Sequence, residues 1–421
     1  MLDLKFIRDH SALVKEGIRN KHESDNIDEI VSVDEKRRAL LQEGELLKAK
    51  RNDVSARIGK MKKANEDAGP VIAEMNVVKE RIQAIDEELK VVETRLEALL
   101  LSVPNIPHSS VPVGMTPADN KEIFTWGGKP SFDFVLKPHW ELAEKLGIID
   151  FVRGAKVAGA GFPFYVGKGA TLERALINYF LDRAAERGYK EIAAPLFVNE
   201  ESARGTGQIP DKEDLMYFAE RDGFYLIPTA EVPVTNFHRK EVFDEKDLPV
   251  SYAAYTPCFR REAGSYGKDV RGLNRLHQFD KVELVKFVLP DSSYDELESL
   301  RQDAEFLLQQ LGLPYRTLLM CTGDMGFTQT KKYDLEVWAP GQQKWLEVSS
   351  CSNFESFQAR RMNIKYKSRE TGKQEFVHTL NGSALALPRI VAGLLEHNQT
   401  PEGKVIVPKV LQPYTKFAVI E

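Results

Sequence analysis

The chain has 421 residues, of which 42% are hydrophobic and 29% are charged, and its formal net charge is −5. This length allows two or three domains with an ample core, and a mildly acidic chain is not a generic nucleic-acid binder. Any RNA contact must therefore come from local basic surfaces. No apolar run approaches membrane-spanning length and no apolar leader follows the charged N-terminus, so we expect a cytoplasmic protein with no membrane partner.

The first hundred residues predict helices. The apolar face of Leu2 to Ile18 predicts a short amphipathic helix. After a polar break, Ser32 and Glu35 have the spacing of a capping box, which predicts the start of a long helix. A breaker at 65–69 followed by Pro70 predicts the start of a second long helix.

Both long helices repeat an apolar residue every seven positions, which predicts an antiparallel coiled-coil hairpin about 45 Å long. The repeats are Val33, Leu40, Leu47, Val54 and Met61, then Val71, Val78, Ile85, Val92 and Leu99, and then Met75, Ile82, Leu89 and Leu96. The first helix is basic and the second is acidic overall. Two interpretations stay open: a dimerisation or scaffolding coiled coil, or an arm that follows a phosphate backbone.

A proline-rich stretch follows the hairpin and predicts an extended linker near residues 101–118. We therefore expect an N-terminal domain at 1–110, with its hairpin at about 32–100, and a second domain at 118–421. In the second domain, strands dominate the middle and helices flank them without regular alternation. That pattern favours an α+β fold with an antiparallel sheet over a Rossmann fold.

Several elements of the second domain are predicted individually. The expected helices are Leu172 to Arg187, Asp295 to Leu311 and Ala384 to His397, the last after a turn at Gly382 and Ser383. The expected strands are Lys190 to Val198, Tyr315 to Cys321, Asp334 to Ala339 and Lys344 to Cys351.

The stretch from Thr256 to Phe287 carries the strongest chemical signal. Two strand-like runs flank a polar loop that contains Lys268, Arg271 and Arg275. The first run ends at Arg260 and Glu262, which share a face if the strand continues through them. Guanidinium groups match phosphate oxygens, and a carboxylate accepts from an exocyclic amine, so the pattern suits a nucleotide. A hairpin with a solvated basic loop and cross-strand ion pairs is the alternative.

The string FRREAGSYGKDVRGLNRLHQFDKVE in this stretch resembles motif 2 of class II aminoacyl-tRNA synthetases, in the form of the seryl subgroup. The helix after Leu172 with the strand through Pro195 resembles motif 1, and NGSALALPR resembles motif 3. The strings GTGQIP and LEVSSCSNFESFQARR are also similar to the seryl subgroup. The family commonly has a small residue where this chain has Pro388. This difference bears on where the helix of motif 3 begins.

The resemblance implies a six-stranded antiparallel sheet with flanking helices, in a homodimer, and a hairpin arm that binds tRNA. It implies that serine and ATP form seryl-adenylate and that the seryl group passes to tRNA(Ser), and to tRNA(Sec) where the organism has one. ATP is expected with Mg²⁺, which is implied to bind Glu347 and Ser350.

The resemblance also implies individual residue roles. Arg260 and Arg389 are the implied catalytic residues, with Glu262 reading the adenine amine and Phe279 stacking under the ring. The implied ATP-binding residues are Arg260, Arg261, Glu262, Arg275, Leu276, Phe279, Glu347, Val348, Ser349, Ser350 and Arg389. The implied serine-binding residues are Thr229, Ala230, Glu231, Arg260, Glu283, Asn381 and Ser383.

Ordinary structural roles remain open for several of these residues. Phe279 could be a core aromatic, Arg389 a surface ion-pair partner, and Glu347 a carboxylate paired with a neighbouring arginine. Three other functions are also considered: a non-catalytic paralogue, a ligase that loads a carrier protein, and a class II synthetase for another amino acid. The complete set of implied ATP residues weighs against the paralogue, and the long hairpin weighs against the carrier-protein ligase. The short stretch after Arg389 weighs against a synthetase for another amino acid.

Overall fold

A computed structural model of the chain describes residues 1–210, 214–262 and 271–421. Lys268 lies outside the described residues. The chain divides into two compact units, the first made of residues 1–19 and 23–104 and the second of residues 20–22 and 105–421. Across the described ranges, no helix combines the length and the apolar character needed to cross a membrane.

The N-terminal helices differ from their predicted bounds. They are α1 (Leu4–Asp9), α2 (Ser11–Asn20), α3 (Ile27–Lys63) and α4 (Gly69–Leu101). The expected single helix from Leu2 to Ile18 is thus broken at His10. The expected capping box at Ser32 is wrong, because α3 begins earlier, where the Asp25 carboxylate accepts a hydrogen bond from the Ile27 amide at 3.0 Å. Pro70 lies in the first turn of α4, as predicted.

The helices α3 and α4 form an antiparallel pair along the predicted heptad seam. Leu40 packs with Ile85 and Val92, and further along the pair Val54 packs with Val71 and Met75. Ion pairs cross the seam at Glu29–Arg95, Glu43–Arg81 and Lys50–Glu74. The partner numbers rise on α3 as they fall on α4, which is the signature of an antiparallel arrangement.

The second unit contains the remaining elements. Its helices are α5 (His139–Lys145), α6 (Phe151–Ala158), α7 (Lys168–Glu186), α8 (Glu200–Thr206), α9 (Glu231–Asn236), α10 (Ser293–Leu311), α11 (Phe357–Met362), α12 (Leu387–His397) and α13 (Gln412–Thr415). Its strands are β1 (Lys121–Trp126), β2 (Ile149–Asp150), β3 (Phe164–Tyr165), β4 (Lys190–Glu191), β5 (Phe197–Val198), β6 (Phe218–Ala219), β7 (Phe224–Leu226), β8 (Val242–Asp244), β9 (Val250–Phe259), β10 (Gln278–Val288), β11 (Tyr315–Leu319), β12 (Lys331–Ala339), β13 (Lys344–Asn353), β14 (Lys365–Lys367), β15 (Gln374–Phe376), β16 (His378–Ala386), β17 (Val405–Ile406) and β18 (Val419–Ile420).

The main sheet confirms the α+β prediction. Within the described residues its strand order is β1-β11-β12-β13-β16-β10-β9-β4, and every neighbouring pair is antiparallel except β4 with β9. The six expected strands correspond to β11 through β9 in this order, and β1 and β4 extend the sheet at its two edges.

Strand β10 shows how the sheet separates core from site. Val282 and Leu284 face a core that includes buried residues of α7, α10 and α12. Phe279, Lys281 and Glu283 alternate with them and line a pocket on the opposite face. Because successive side chains on a strand point to opposite faces, one short sequence supplies both the core and the polar floor of the pocket.

Two predicted elements of this unit have different forms. The expected strand from Lys190 to Val198 is divided into β4 and β5, which belong to different sheets. The predicted turn at Gly382 and Ser383 is wrong, because β16 runs straight through both residues. A Cβ on Gly382 would lie 3.0 Å from the Cys351 sulfur and 3.1 Å from Leu300, so close packing explains this glycine.

Candidate active site

A cavity of about 370 Å³ opens on the polar face of the main sheet. It gathers every predicted site residue except Ala230 and Arg261. The predicted residues in its lining are Thr229, Glu231, Arg260, Glu262, Arg275, Leu276, Phe279, Glu283, Glu347, Val348, Ser349, Ser350, Asn381, Ser383 and Arg389. The cavity thus places guanidinium groups, carboxylates and an aromatic ring around one space, as the binding of a charged nucleotide and an amino acid requires.

Two of the residues predicted to bind serine, Glu231 and Glu283, are buried carboxylates. Glu231 accepts a hydrogen bond from the Gln358 amide at 2.7 Å, and Glu283 accepts one from the Ser383 hydroxyl at 3.2 Å. Burial, followed by the negative charge of Glu283, raises the pKa of Glu231 to about 7. A pair of carboxylates held in this way attracts a cation such as an ammonium group.

Lys281 is a pocket residue that the sequence analysis did not identify. Its ammonium lies 2.5 Å from the Glu283 carboxylate and donates to the Thr229 hydroxyl at 2.8 Å. Its position midway between Phe279 and Glu283 on β10 was the available signal, since a period of two places all three side chains on one face. Lys281 neutralises part of the negative charge that the two carboxylates bring into the pocket.

Arg260 reaches the pocket from just beyond the end of β9, not from the strand itself as expected. Its Nε donates to the Pro228 carbonyl at 3.3 Å, and its guanidinium carbon lies 5.3 Å from the centre of the Phe279 ring. Phe279 is partly buried and lines the pocket while it also packs against the core. The ring and the guanidinium therefore share the same part of the cavity.

His277 fixes the backbone that carries Arg260. The Arg260 amide donates to the His277 carbonyl at 2.9 Å, and His277 Nδ1 lies 3.0 Å from the Arg260 carbonyl oxygen. The hydroxyl of Tyr217 is 2.9 Å from the same nitrogen, and the Phe162 ring stacks on the imidazole. No special role is predicted for His277 from the sequence. In the structure, its contacts position the backbone of Arg260.

Glu262 and Arg275 form an ion pair at 2.9 Å beside the pocket. Glu262 has a φ of +49°, in the left-handed region that non-glycine residues seldom occupy. This backbone conformation follows Arg260 and Arg261 immediately after β9. Both partners of the pair line the cavity, where the sequence analysis predicted that they contact ATP.

Arg389 enters the cavity from the first turn of α12, whose start accommodates Pro388. Its guanidinium donates to the Glu347 carbonyl at 2.7 Å and lies 3.6 Å from the Glu347 carboxylate. Desolvation by neighbouring groups opposes ionisation of Glu347, whose side chain is nevertheless 45% exposed, and the charges of Arg389, Lys332 and Arg260 outweigh it and lower the pKa of this carboxyl. Glu347 is therefore an anion within a largely cationic surrounding.

The predicted magnesium ligands fit a divalent cation by their donor chemistry. Glu347 and Ser350 both line the cavity with oxygen donors. Behind them, Asp334 Oδ1 is buried and has no hydrogen-bond partner in the part of the chain that the structure describes. Within residues 1–210, 214–262 and 271–421, no cluster of three or more His, Cys, Asp or Glu side chains is arranged for a metal. One or two protein oxygens suffice for Mg²⁺, which otherwise takes phosphate and water.

Two predicted site residues lie outside the lining. Ala230 is fully buried and packs in a cluster with Tyr252 and Val285. Arg261 pairs with Asp214 at 3.2 Å, and 46% of its side-chain surface is exposed. Their predicted contacts with serine and ATP stay predictions.

Comparison with known proteins agrees with the geometry of the site. Residues 217–398 match the family described as tRNA synthetase class II core domain (G, H, P, S and T). Residues 1–107 match the family described as Seryl-tRNA synthetase N-terminal domain.

Relatives and solved structures match over the whole chain. The serine–tRNA ligase of Salinibacter ruber is 58% identical over 100% of this chain and 99% of its own length. That of Chloroherpeton thalassium is 54% identical, with 100% of both chains covered. The crystal structure of the Pyrococcus horikoshii seryl-tRNA synthetase complexed with ATP is 38% identical, with a TM-score of 0.95 and coverage of 100% and 99%. The chain belongs to the seryl-tRNA synthetase family, class II enzymes that ligate serine to tRNA.

Proposed function

We propose that the chain activates serine with ATP to give seryl-adenylate and pyrophosphate, and then transfers the seryl group to the terminal ribose of tRNA(Ser). The observation that carries this proposal is the single cavity that holds three guanidinium groups, the Phe279 ring and two buried carboxylates. The serine carboxylate is already ionised when it attacks the α-phosphorus. The enzyme therefore contributes positioning and charge stabilisation instead of a general base.

In this proposal Arg260 contacts both the serine carboxylate and the α-phosphate. Arg275 and Arg389 hold the outer phosphates, Glu262 reads the adenine amine and Phe279 stacks under the ring. Arg261, Leu276, Val348 and Ser349 complete the nucleotide site. The support is that Arg260 and Phe279 are neighbours at 5.3 Å and that Glu262 and Arg275 are already paired at the rim of the same cavity.

Serine selection is assigned to the buried polar groups around Glu231 and Glu283. Thr229, Ala230, Asn381 and Ser383 form the rest of the proposed serine site. Glu231 and Glu283 would receive the serine ammonium, and the surrounding donors and acceptors would satisfy its hydroxyl. Alanine would leave those buried groups unpaired, which is the physical basis for rejecting it.

Magnesium held by Glu347 and Ser350 would neutralise phosphate charge when it is bound with ATP. Arg389 lies 3.6 Å from the Glu347 carboxylate and keeps this carboxylate next to the proposed phosphate site. The lowered pKa of Glu347 keeps its oxygens available as anionic ligands at neutral pH.

The remaining parts of the proposal concern partners. The N-terminal domain at 1–110, with its α3–α4 hairpin, is proposed to bind tRNA, and the domain at 118–421 to catalyse both steps. The chain is proposed to act in the cytoplasm as a homodimer through α7 and the strand after it, and to accept tRNA(Sec) where that tRNA occurs. Sedimentation of the purified chain tests the dimer, and charging of each transcript tests the tRNA range.

The first test is ATP–pyrophosphate exchange measured with each of the twenty amino acids. We expect exchange with serine alone and its loss in Arg260→Ala, because the attacking carboxylate and the α-phosphate would both lose their cation. The exposed Arg221→Ala is a matched control and should keep full exchange. Exchange with another amino acid in preference to serine, or full activity of Arg260→Ala, would contradict the proposal.

A further inference from the structure

A buried hydrogen-bond network lies beneath residues 271–276, which we name the return segment because they lead the chain back into β10. His139, at the start of α5, and Glu396, near the end of α12, are both completely buried. The His139 Nδ1 and the Glu396 carboxylate are 2.9 Å apart. The Leu273 amide donates to the other ring nitrogen, His139 Nε2, at 2.9 Å. Since an amide can only donate, Nε2 is unprotonated and the proton resides on Nδ1, where it is donated to Glu396.

Glu396 orients the neighbouring Gln342 as well. Its carboxylate accepts from the amides of Gly341 and Gln342 and, at 2.7 Å, from the Gln342 side chain. The Gln342 side-chain oxygen then accepts from the Asn274 amide group at 2.8 Å. One buried carboxylate therefore fixes both Leu273 and Asn274, through His139 and Gln342 respectively.

The return segment is held from a second direction by the same helix. Arg389, in the first turn of α12, donates from Nε to the Asn274 carbonyl at 3.2 Å. Gly272 has a φ of +69°, and a Cβ there would lie 2.2 Å from His139 Nε2. The segment thus packs against His139 so closely that only glycine fits. Both ends of α12 grip the segment that carries Arg275 into the cavity.

We infer that His139 is a positioning residue for the ATP site: with Glu396 and Gln342 it locks the return segment so that Arg275 and Arg389 face the outer phosphates together. This inference rests on the phosphate roles given to those arginines in the proposed function. Among the residues that the structure describes, Glu231 and Glu283 contact Gln358, Ser383 and Lys281, none of which belongs to this network. The lock therefore acts on ATP and leaves serine binding unchanged.

Two substitutions of His139 separate positioning from stability. In His139→Gln the longer side chain brings an oxygen to the Nε2 position, where it accepts from the Leu273 amide. In His139→Asn the shorter side chain can still donate to Glu396 but cannot reach Leu273, whose buried amide is left unsatisfied. His139→Gln in turn removes the Nδ1 donor to Glu396. Each variant thus loses one buried hydrogen bond, so their melting temperatures should fall by similar amounts.

The test is ATP–pyrophosphate exchange with separate KM values for ATP and serine. We expect His139→Asn to lose at least about tenfold in kcat/KM for ATP with KM for serine unchanged, and His139→Gln to stay within about threefold of the parent chain. Gly272→Ala, outside the helices, should reproduce the ATP-specific loss. Equal exchange in the Asn and Gln variants, equal effects on both substrates, or a normal KM for ATP in Gly272→Ala would overturn the inference.

The Arg275→Ala and Arg389→Ala variants distinguish a failure of the proposed phosphate roles from a failure of the positioning role inferred for His139. If both keep a normal KM for ATP, the phosphate roles are wrong and the inference falls with them. If both lose ATP binding while His139→Asn behaves like His139→Gln, the phosphate roles stand and the lock alone is refuted.

Discussion

At the scale of single residues, the protonation of Glu231 sets the charge of the proposed serine site. Burial and the Glu283 carboxylate raise its pKa to about 7, so Glu231 is neutral below that pH and anionic above it. Only the anion attracts an ammonium group strongly. In the proposed serine site, a proton on Glu231 would therefore oppose serine binding.

We expect kcat/KM for serine to fall about tenfold for each pH unit below about 7 in exchange assays at saturating ATP. Glu231→Gln should lower kcat/KM and remove this acid limb, because the amide does not titrate. The exposed Glu220→Gln should retain the limb of the parent chain. An acid limb that persists in Glu231→Gln would assign the titration to another group.

The residue scale also shows where sequence reasoning was sufficient. Arg260, Phe279, Glu283 and Arg389 were predicted to meet, and all four line one cavity. The His139–Glu396 contact could not be predicted, because 257 residues separate the partners and no local pattern marks either one. Contacts of this kind depend on how distant elements pack, which a single sequence does not display.

At the scale of elements, α7 and β10 are joined on the core side of the sheet by a pair of carboxyl groups, of which Glu173 is buried and Asp280 is half-buried. Burial and the charge of Asp280 raise the pKa of Glu173 to about 8. Asp280 also accepts from the Tyr255 hydroxyl at 3.0 Å. Since the folded pKa of Glu173 exceeds its ordinary value, the folded state binds its proton more tightly than the unfolded state does. The contribution of Glu173 to stability is therefore greatest below its ordinary pKa of 4.5 and declines as the pH rises toward about 8.

Glu173→Gln should relieve this loss. We expect its free energy of unfolding to exceed that of the parent chain at about pH 8.5, with the gain fading by up to about 1.4 kcal/mol per pH unit as the pH is lowered. Urea unfolding at several pH values measures the difference. The exposed Glu191→Gln is the matched control and should follow the parent chain. A gain that does not depend on pH would show that the pair titrates elsewhere.

Element boundaries were the less predictable part of the fold. Gly382 was expected in a turn from its residue type, yet it lies inside β16. Glycine is required there because Leu300 and Cys351 leave no room for a side chain. The capping pattern at Ser32 failed because α3 begins earlier, at Ile27, whose amide donates to the Asp25 carboxylate. In both cases the residue type fitted a local sequence rule, but contacts elsewhere in the folded chain accompany a different element boundary.

At the scale of the whole molecule, both reaction steps are proposed for the domain at 118–421, and tRNA binding is proposed for the α3–α4 hairpin. The contacts within the hairpin indicate where it can be shortened: Glu43 on α3 faces Arg81 on α4, with the Arg81 Nε 2.7 Å from the Glu43 carboxylate. Removing residues 44–80 and joining these two positions by a short glycine linker keeps the Leu40–Ile85–Val92 cluster below the cut. The full deletion of residues 33–99 is the more severe version.

We expect both deletions to keep serine-dependent exchange within about twofold of the parent chain, because the residues proposed to bind ATP and serine all lie beyond residue 200. Charging of tRNA(Ser) should fall by at least about a hundredfold, since the arm's contribution to RNA affinity is lost. Both activities are measured on the same preparations. Unimpaired charging by either variant would refute the role of the arm, and loss of exchange would refute the division of labour.

The two-faced strand β10 restricts how this enzyme can evolve. Inserting or deleting one residue between Phe279 and Leu284 would exchange the two faces of the strand. Lys281 and Glu283 would then point into the apolar core, and aliphatic side chains would point into the cavity. Such a change would disturb the proposed substrate contacts and the packing of the core at the same time. The length of this segment is therefore constrained twice, once by the fold and once by the site.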